Sequence, residues 1–93
     1  PNAAPATKEK WDGKWRIVSF DVPGGYRLER NMIRSLLKAS HFYRLHKSVW
    51  ASPSHLSQNL WKTLVRLGLH EYCKVMLVEI LEGDEELRDH FRL

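Results

Sequence analysis

One acidic residue stands where it could hold a metal ion. Asp21 lies at the end of the apolar, strand-like segment 14–22 and shortly before Pro23-Gly24-Gly25. A carboxylate is the hard oxygen ligand that Mg²⁺ prefers, and Mg²⁺ held beside a phosphate supports metal-dependent cleavage. One carboxylate per chain is fewer than most such sites use. The alternative is structural: Asp21 caps the following turn through its side chain.

Basic residues recur along the next segment, and they could bind phosphate. Arg27, Arg30, Arg34 and Lys38 follow one another at i, i+3, i+7 and i+11, which is one face of a helix. Arg44 and Lys47 come next, on a predicted hairpin. This stripe is typical of a surface that contacts a nucleic-acid backbone. The alternative is the solvated face of an amphipathic helix, although Glu29 is the only acid available for pairing within it.

The other chemically active residues indicate no further site. The five histidines lack metal-ligand spacing, and the four tryptophans are expected to pack rather than to stack on bases. The single cysteine, Cys73, can neither close an intrachain disulfide nor supply a zinc framework, and is predicted to be a buried small hydrophobe. There is no GxSxG motif and no Gly-rich phosphate loop.

Length, composition and charge limit the kind of molecule. Ninety-three residues, 43% of them hydrophobic, suit one domain with a real core. We predict a linker over 1–10 and a domain over 11–93. Residues 1–78 carry 13 Lys/Arg against 5 Asp/Glu, or +8, whereas residues 79–93 carry 2 against 6, or −4. No apolar run is long enough for a membrane span and no signal-peptide pattern is visible, so we expect a soluble, cytoplasmic protein without a membrane partner.

The chain alternates strand and helix signals. Strands are predicted at 14–22, 42–45, 48–51 and 72–81, and a first helix at 27–40. A second helix is predicted to start at Ser52-Pro53, to carry Leu56, Leu60, Leu64 and Leu67 on one face, and to end at Gly68. An acidic helical tail follows from Gly83-Asp84.

This order, β-α-β-β-α-β, predicts an α+β ferredoxin-like sandwich with a short C-terminal helical tail. Right-handed crossovers place both helices on one sheet face, which leaves the other face open. A small domain with an open apolar sheet face usually pairs with something. We therefore expect a homodimer in which the tail of one chain reaches the other, with Phe20, Trp50, Leu87 and Phe91 at the interface.

Two segments carry a family resemblance. They are Trp11-Asp12-Gly13-Lys14-Trp15-Arg16, running into Val18-Ser19-Phe20-Asp21-Val22-Pro23, and Phe42-Tyr43-Arg44-Leu45-His46-Lys47-Ser48-Val49-Trp50 before Ser52-Pro53. With the ending Glu86-Leu87-Arg88-Asp89-His90-Phe91, they resemble the central domain of the PaaX family of bacterial repressors. That domain is in turn similar to the small ferredoxin-like nuclease of CRISPR adaptation, here called the Cas-two family. Phe20-Asp21 and Lys47-Ser48-Val49-Trp50 match its recurring pieces.

The resemblance implies two functions. The first is a homodimerising module of a PaaX-type DNA-binding regulator, which needs no cofactor and adds contacts to the phosphate backbone. Base-specific contacts would then come from an N-terminal winged-helix domain of the parent protein. The second is a stand-alone nuclease of the Cas-two family, in which Asp21 and its twin across the dimer hold Mg²⁺. Gly24-Gly25-Tyr26 and Ser40-His41 depart from the family pattern, and the first departure alters the mouth of any metal site.

Overall fold

The computed structural model describes residues 10–79 and 81–93. The predicted linker at 1–10 therefore lies almost wholly outside the described residues. Four strands and three helices follow in the order β1 (Trp15–Phe20), α1 (Arg27–Ala39), β2 (Tyr43–His46), β3 (Val49–Ser52), α2 (Gln58–Arg66), β4 (Cys73–Val78) and α3 (Glu85–Phe91). A short 3₁₀ turn at His70–Tyr72 precedes β4.

The strands form one antiparallel sheet in the order β2-β3-β1-β4. Strand β1 lies between β3 and β4, with Val18 opposite Trp50 on one side and Val75 on the other. This arrangement confirms the predicted ferredoxin-like α+β fold, because each helix connects strands that have another strand between them. No helix in the described ranges is long and apolar enough to cross a membrane.

Helices α1 and α2 cover one sheet face, called here the helix-side face. Val18 and Phe20 of β1 alternate with residues pointing the other way and are buried against the helices. Ile33 and Leu37 of α1 meet them at i, i+4 spacing, and Leu60 and Leu64 of α2 complete this core. Both helices therefore lie on one face, as predicted.

The opposite, tail-side face is not open along its whole length, which corrects the prediction. Leu87 and Phe91 of α3 are fully buried against Trp15, Ile17 and Ala51 of the sheet. The reason is that Leu87 and Phe91 are four residues apart on an otherwise polar helix, so α3 buries its apolar side by folding back onto its own sheet.

The start of the second helix also differs from the prediction. Ser52 is the last residue of β3, and its Oγ accepts a hydrogen bond from the Ser54 N–H at 3.1 Å, which caps a turn. Ser57 is the actual helix cap, with its Oγ accepting from the N–H groups of Asn59 and Leu60.

The chain reverses direction at Gly68 after α2, and this reversal decides which leucine near the end of the helix is buried. Gly68 has φ +73°, a conformation that favours glycine at the end of a helix. After this reversal Leu69 takes the buried position, whereas Leu67 is exposed. The predicted apolar face of the helix is therefore right for Leu60 and Leu64 and wrong for Leu67.

Candidate functional site

Basic side chains from helix α1 and from the β2–β3 turn surround one surface depression of about 450 Å³, called here the basic pocket. Arg27, Arg30 and Arg34 come from the first two turns of α1, where i, i+3 and i+7 spacing puts them on one face. Lys47 comes from the turn between β2 and β3. The remaining lining residues are Phe20, Asp21, Val22, Asn31 and Ser48.

The guanidinium groups of Arg30 and Arg34 contact neutral acceptors. Arg30 Nη2 lies 3.3 Å from the Pro23 carbonyl oxygen, and Arg34 Nε lies 3.4 Å from the Lys47 carbonyl oxygen. Within residues 10–79 and 81–93 the ion pairs are Arg16–Asp12 and Arg88–Asp84, neither of which involves the pocket. Long, neutral contacts of this kind orient a guanidinium without neutralising it, so the pocket keeps its positive charge for an incoming anion.

The predicted basic stripe is divided into two groups. Lys38 and Arg44 do not line the basic pocket; they border a second depression of about 440 Å³ together with Tyr43, Trp50 and His90. Arg30 and Lys38 are eight residues apart on one helix, which corresponds to about 12 Å along its axis. The six predicted residues thus form two cationic positions along α1 rather than one continuous row.

Asp21 lies on the rim of the basic pocket and is exposed. Its backbone N–H bonds the Tyr72 carbonyl oxygen at 3.0 Å, extending the pairing of β1 with β4. The turn at 23–26 is closed by the Tyr26 N–H, which donates to the Pro23 carbonyl. The turn-capping role of the Asp21 side chain stays a prediction. Within the described residues no group of three or more His, Cys, Asp or Glu residues could hold a metal ion.

The segment Trp11–Arg16 forms a structural clasp that the sequence did not reveal. Arg16 is 6% exposed and contacts both Asp12 carboxylate oxygens, from Nη1 at 3.0 Å and from Nη2 at 2.6 Å. Its Nη1 also donates to the Pro53 carbonyl at 2.8 Å. Trp15 Nε1 donates to Asp84 just before α3 at 3.1 Å. The clasp therefore joins the start of β1 to the end of β3 and to the tail.

The clasp makes Arg16 a stability determinant. Replacing Arg16 by Met should lower the free energy of unfolding by about 2–3 kcal/mol, because the buried Pro53 carbonyl loses its donor and a paired charge contact disappears. For a domain of this size the melting temperature should fall by about 10 °C or more, measured by circular dichroism. Arg16→Lys should recover only part of this loss, since an ammonium cannot pair with both oxygens. An unchanged melting temperature in Arg16→Met, equal to that of the exposed control Arg66→Met, would refute the role.

The same pair predicts how stability depends on pH. The hydrogen bond from Arg16 holds the pKa of the Asp12 carboxyl well below its usual range, and the Lys14 backbone N–H adds to this. A lowered folded-state pKa stabilises the fold above the ordinary value of about 3.9, and this contribution is lost as pH falls further. The melting temperature of the wild type should therefore drop more between about pH 6 and about pH 3 than that of Asp12→Asn. Parallel curves would contradict the prediction.

The four residues predicted for the dimer interface are buried within the single chain. Phe20 and Trp50 belong to the helix-side core, and Leu87 and Phe91 lie beneath α3. Their part in a dimer stays a prediction.

The apolar residues that remain exposed on the sheet lie instead on β4, one of its two edge strands. Val75, Met76 and Leu77 are 40%, 42% and 60% exposed. The pattern of residues 72–81 predicted a strand, but not that it would lie at an edge.

Two further side chains have environments with chemical consequences. Cys73 is buried, and burial raises the pKa of its thiol to about 11, so it is an unreactive core residue as predicted. The Tyr43 hydroxyl donates a hydrogen bond to the Glu86 carboxylate of α3. This hydrogen bond is the largest cause of the raised pKa of Tyr43, and burial is the second. The ring centroids of Tyr43 and His90 are 4.4 Å apart, so β2 contributes to holding α3 against the sheet.

Comparison with known proteins identifies a family. The family model described as the PaaX protein central Cas2-like domain matches residues 8–92. That range takes in the basic pocket, the clasp, the edge strand and α3. No curated protein and no solved structure gives a significant match to the chain. The match covers nearly the whole sequence, and this chain belongs to the family of PaaX central Cas2-like domains.

Proposed function

We propose that this chain is a homodimerising module of a PaaX-type DNA-binding regulator and that it adds contacts to the DNA phosphate backbone. The observation that carries the proposal is the exposed apolar edge strand β4. Family membership supports the regulatory setting. Sequence-specific contacts would come from another domain of the regulator, and a cytoplasmic location follows from a DNA partner. Sedimentation of the wild type beside Leu77→Glu tests the dimer.

The backbone of β4 favours pairing with a second strand. The bond from the Asp21 N–H to the Tyr72 carbonyl fixes the alternation, so Lys74, Met76 and Val78 direct their peptide groups towards β1. Val75 and Leu77 then direct theirs outward. Neither a proline nor a bulge interrupts this strand, although natural edge strands commonly carry such protection.

The side chains of β4 support the same conclusion. Val75 and Leu77 project on the helix-side face and Met76 on the tail-side face, so apolar surface is exposed on both sides of the edge. Contiguous exposed apolar surface on a small domain marks an interaction site. A second copy of the chain is the partner we propose, because closed two-fold assemblies are the commonest oligomers of soluble proteins.

Phosphate contacts are supported by the two cationic positions along α1. Arg30 and Arg34 occupy one position, and Lys38 and Arg44 the other. Arg30 of the first position and Lys38 of the second are about 12 Å apart along the helix axis, which is comparable to the width of the major groove of B-DNA. Contacts of this kind carry no sequence information, so they would position the module rather than specify the site.

The nuclease alternative depends on Asp21, and we predict that the chain does not cleave nucleic acid. Three arginines and a lysine share the pocket with this single carboxylate, and they oppose the binding of Mg²⁺ there. Incubation with single- or double-stranded DNA or RNA and Mg²⁺ or Mn²⁺ should give no more product than the Asp21→Ala control. Cleavage by the wild type that disappears in Asp21→Ala would establish the nuclease and overturn this proposal.

A further inference from the structure

The basic pocket has the shape and charge of a site for a compact anion. Its lining contains Arg27, Arg30, Arg34 and Lys47 against the single carboxylate of Asp21, which leaves a formal charge of +3. At about 450 Å³ it is within the range of small-molecule sites, between about 300 and 1,000 Å³. A convex duplex surface would not fill a depression of this kind, so its volume calls for a smaller occupant.

The side chains of Arg30 and Arg34 are already partly ordered for binding such a ligand. Arg30 and Arg34 are partly buried and held by backbone carbonyls, so less side-chain freedom is lost when they bind. Their guanidinium groups present several N–H donors in a fixed fork, which suits the oxygens of a phosphate. The Ser48 hydroxyl and the Asn31 amide in the same lining can donate further hydrogen bonds.

We propose that the basic pocket binds the diphosphate or terminal phosphate group of a small ligand. A phosphodiester of a nucleic-acid backbone carries one negative charge, whereas a terminal phosphate carries about −1.5 to −2 at neutral pH. The more highly charged group matches a +3 site better. The inference deepens the phosphate-binding part of the proposed function, since ligand and duplex DNA would compete for Arg30 and Arg34.

Asp21 gives the inference a distinctive consequence. Among the described residues that line the pocket, Asp21 carries the one negative group, so its carboxylate opposes a bound anion. Asp21→Asn should therefore strengthen phosphate binding. A metal site would behave in the opposite way, because removal of the carboxylate would weaken binding that depends on Mg²⁺. A gain in affinity also cannot arise from a damaged fold.

Calorimetric titration with inorganic pyrophosphate, without divalent metal and at low ionic strength, tests the inference. We expect saturable 1:1 binding that Arg34→Gln weakens by about tenfold or more, because a charge-assisted bond is lost. Arg66→Gln, on the exposed end of α2, should leave it unchanged. Asp21→Asn should tighten it. Adenosine diphosphate should bind about as tightly as pyrophosphate, since phosphates provide the recognition.

Three outcomes would overturn the inference: binding that does not saturate, binding that Arg66→Gln weakens as much as Arg34→Gln, or binding that requires Mg²⁺ and is lost in Asp21→Asn. Duplex DNA titrated into the same variants separates this inference from the proposed function. Pyrophosphate binding without DNA binding leaves the pocket assignment intact and refutes the backbone contacts. DNA binding without pyrophosphate binding refutes the pocket assignment and leaves the backbone contacts intact.

Discussion

Replacement of Leu77 by Glu is expected to convert the proposed homodimer into a monomer. Leu77 is the most exposed apolar residue of the edge strand, and its peptide group faces outward. A carboxylate at this position would have to leave water when a second strand pairs with β4, and Arg16, which lies opposite it on β1, is already paired with Asp12. We expect the dimer dissociation constant to rise by about 100-fold or more, measured by sedimentation.

Leu28→Glu is the matched control for this variant. Leu28 is even more exposed, at 68%, but lies on α1 in the helix layer, away from the sheet edge. It should leave the dissociation constant unchanged. If Leu28→Glu disrupts the dimer and Leu77→Glu does not, the partner binds the helix layer instead of β4.

Charge reversal at Arg30 and Arg34 is expected to abolish binding to duplex DNA. These two guanidinium groups lie in the pocket without a carboxylate partner among the described residues, so Glu at both positions removes two phosphate contacts and adds repulsion. Affinity should fall by about 100-fold or more. The slope of log affinity against log salt should become shallower by about 2, because two fewer counterions are released.

Lys62→Glu with Arg66→Glu changes net charge equally and serves as the control. Both residues are exposed on α2, outside the basic pocket and the second depression. DNA affinity measured by fluorescence anisotropy should fall much less in this variant. Equal losses in the two double variants would show that DNA responds only to net charge, and unchanged binding in Arg30→Glu/Arg34→Glu would show that the stripe is merely solvated.

The sequence predicted the elements whose patterns are local. The first strand and the first helix were found because a run of aromatic and β-branched residues and a repeat of 3.6 residues are strong signals over 6 and 13 residues. The start of α2 was missed because Ser52-Pro53 and Ser57 are both plausible caps. The pairing of Ser52 with Arg16 across the sheet decides between them, because it makes Ser52 a strand residue and leaves Ser57 as the helix cap.

Features that depend on distant contacts were harder to predict. The spacing of Leu87 and Phe91 indicated an apolar side of the tail, but not that this side would cover Trp15 on the same chain. The clasp had a detectable signal, since Asp12-Gly13 is a turn pair and Arg16 is four residues after Asp12. Gly13 adopts φ +81° there, and Arg16 looked like one more member of an apolar strand.

The helical repeat of the basic stripe was predicted correctly, whereas the division of its residues between two depressions was not predicted. Spacing correctly placed Arg27, Arg30, Arg34 and Lys38 along one helix. It could not show that the β2–β3 turn brings Lys47 to the first three and leaves Lys38 with Arg44. That division depends on where the hairpin meets α1, which is a property of tertiary packing.

Sedimentation equilibrium of the wild-type chain over a wide micromolar range distinguishes a dimer from a monomer. We expect a species of twice the chain mass of 11.0 kDa, in reversible equilibrium with the monomer at low concentration. A single 11.0 kDa species that persists to the highest concentration would contradict it.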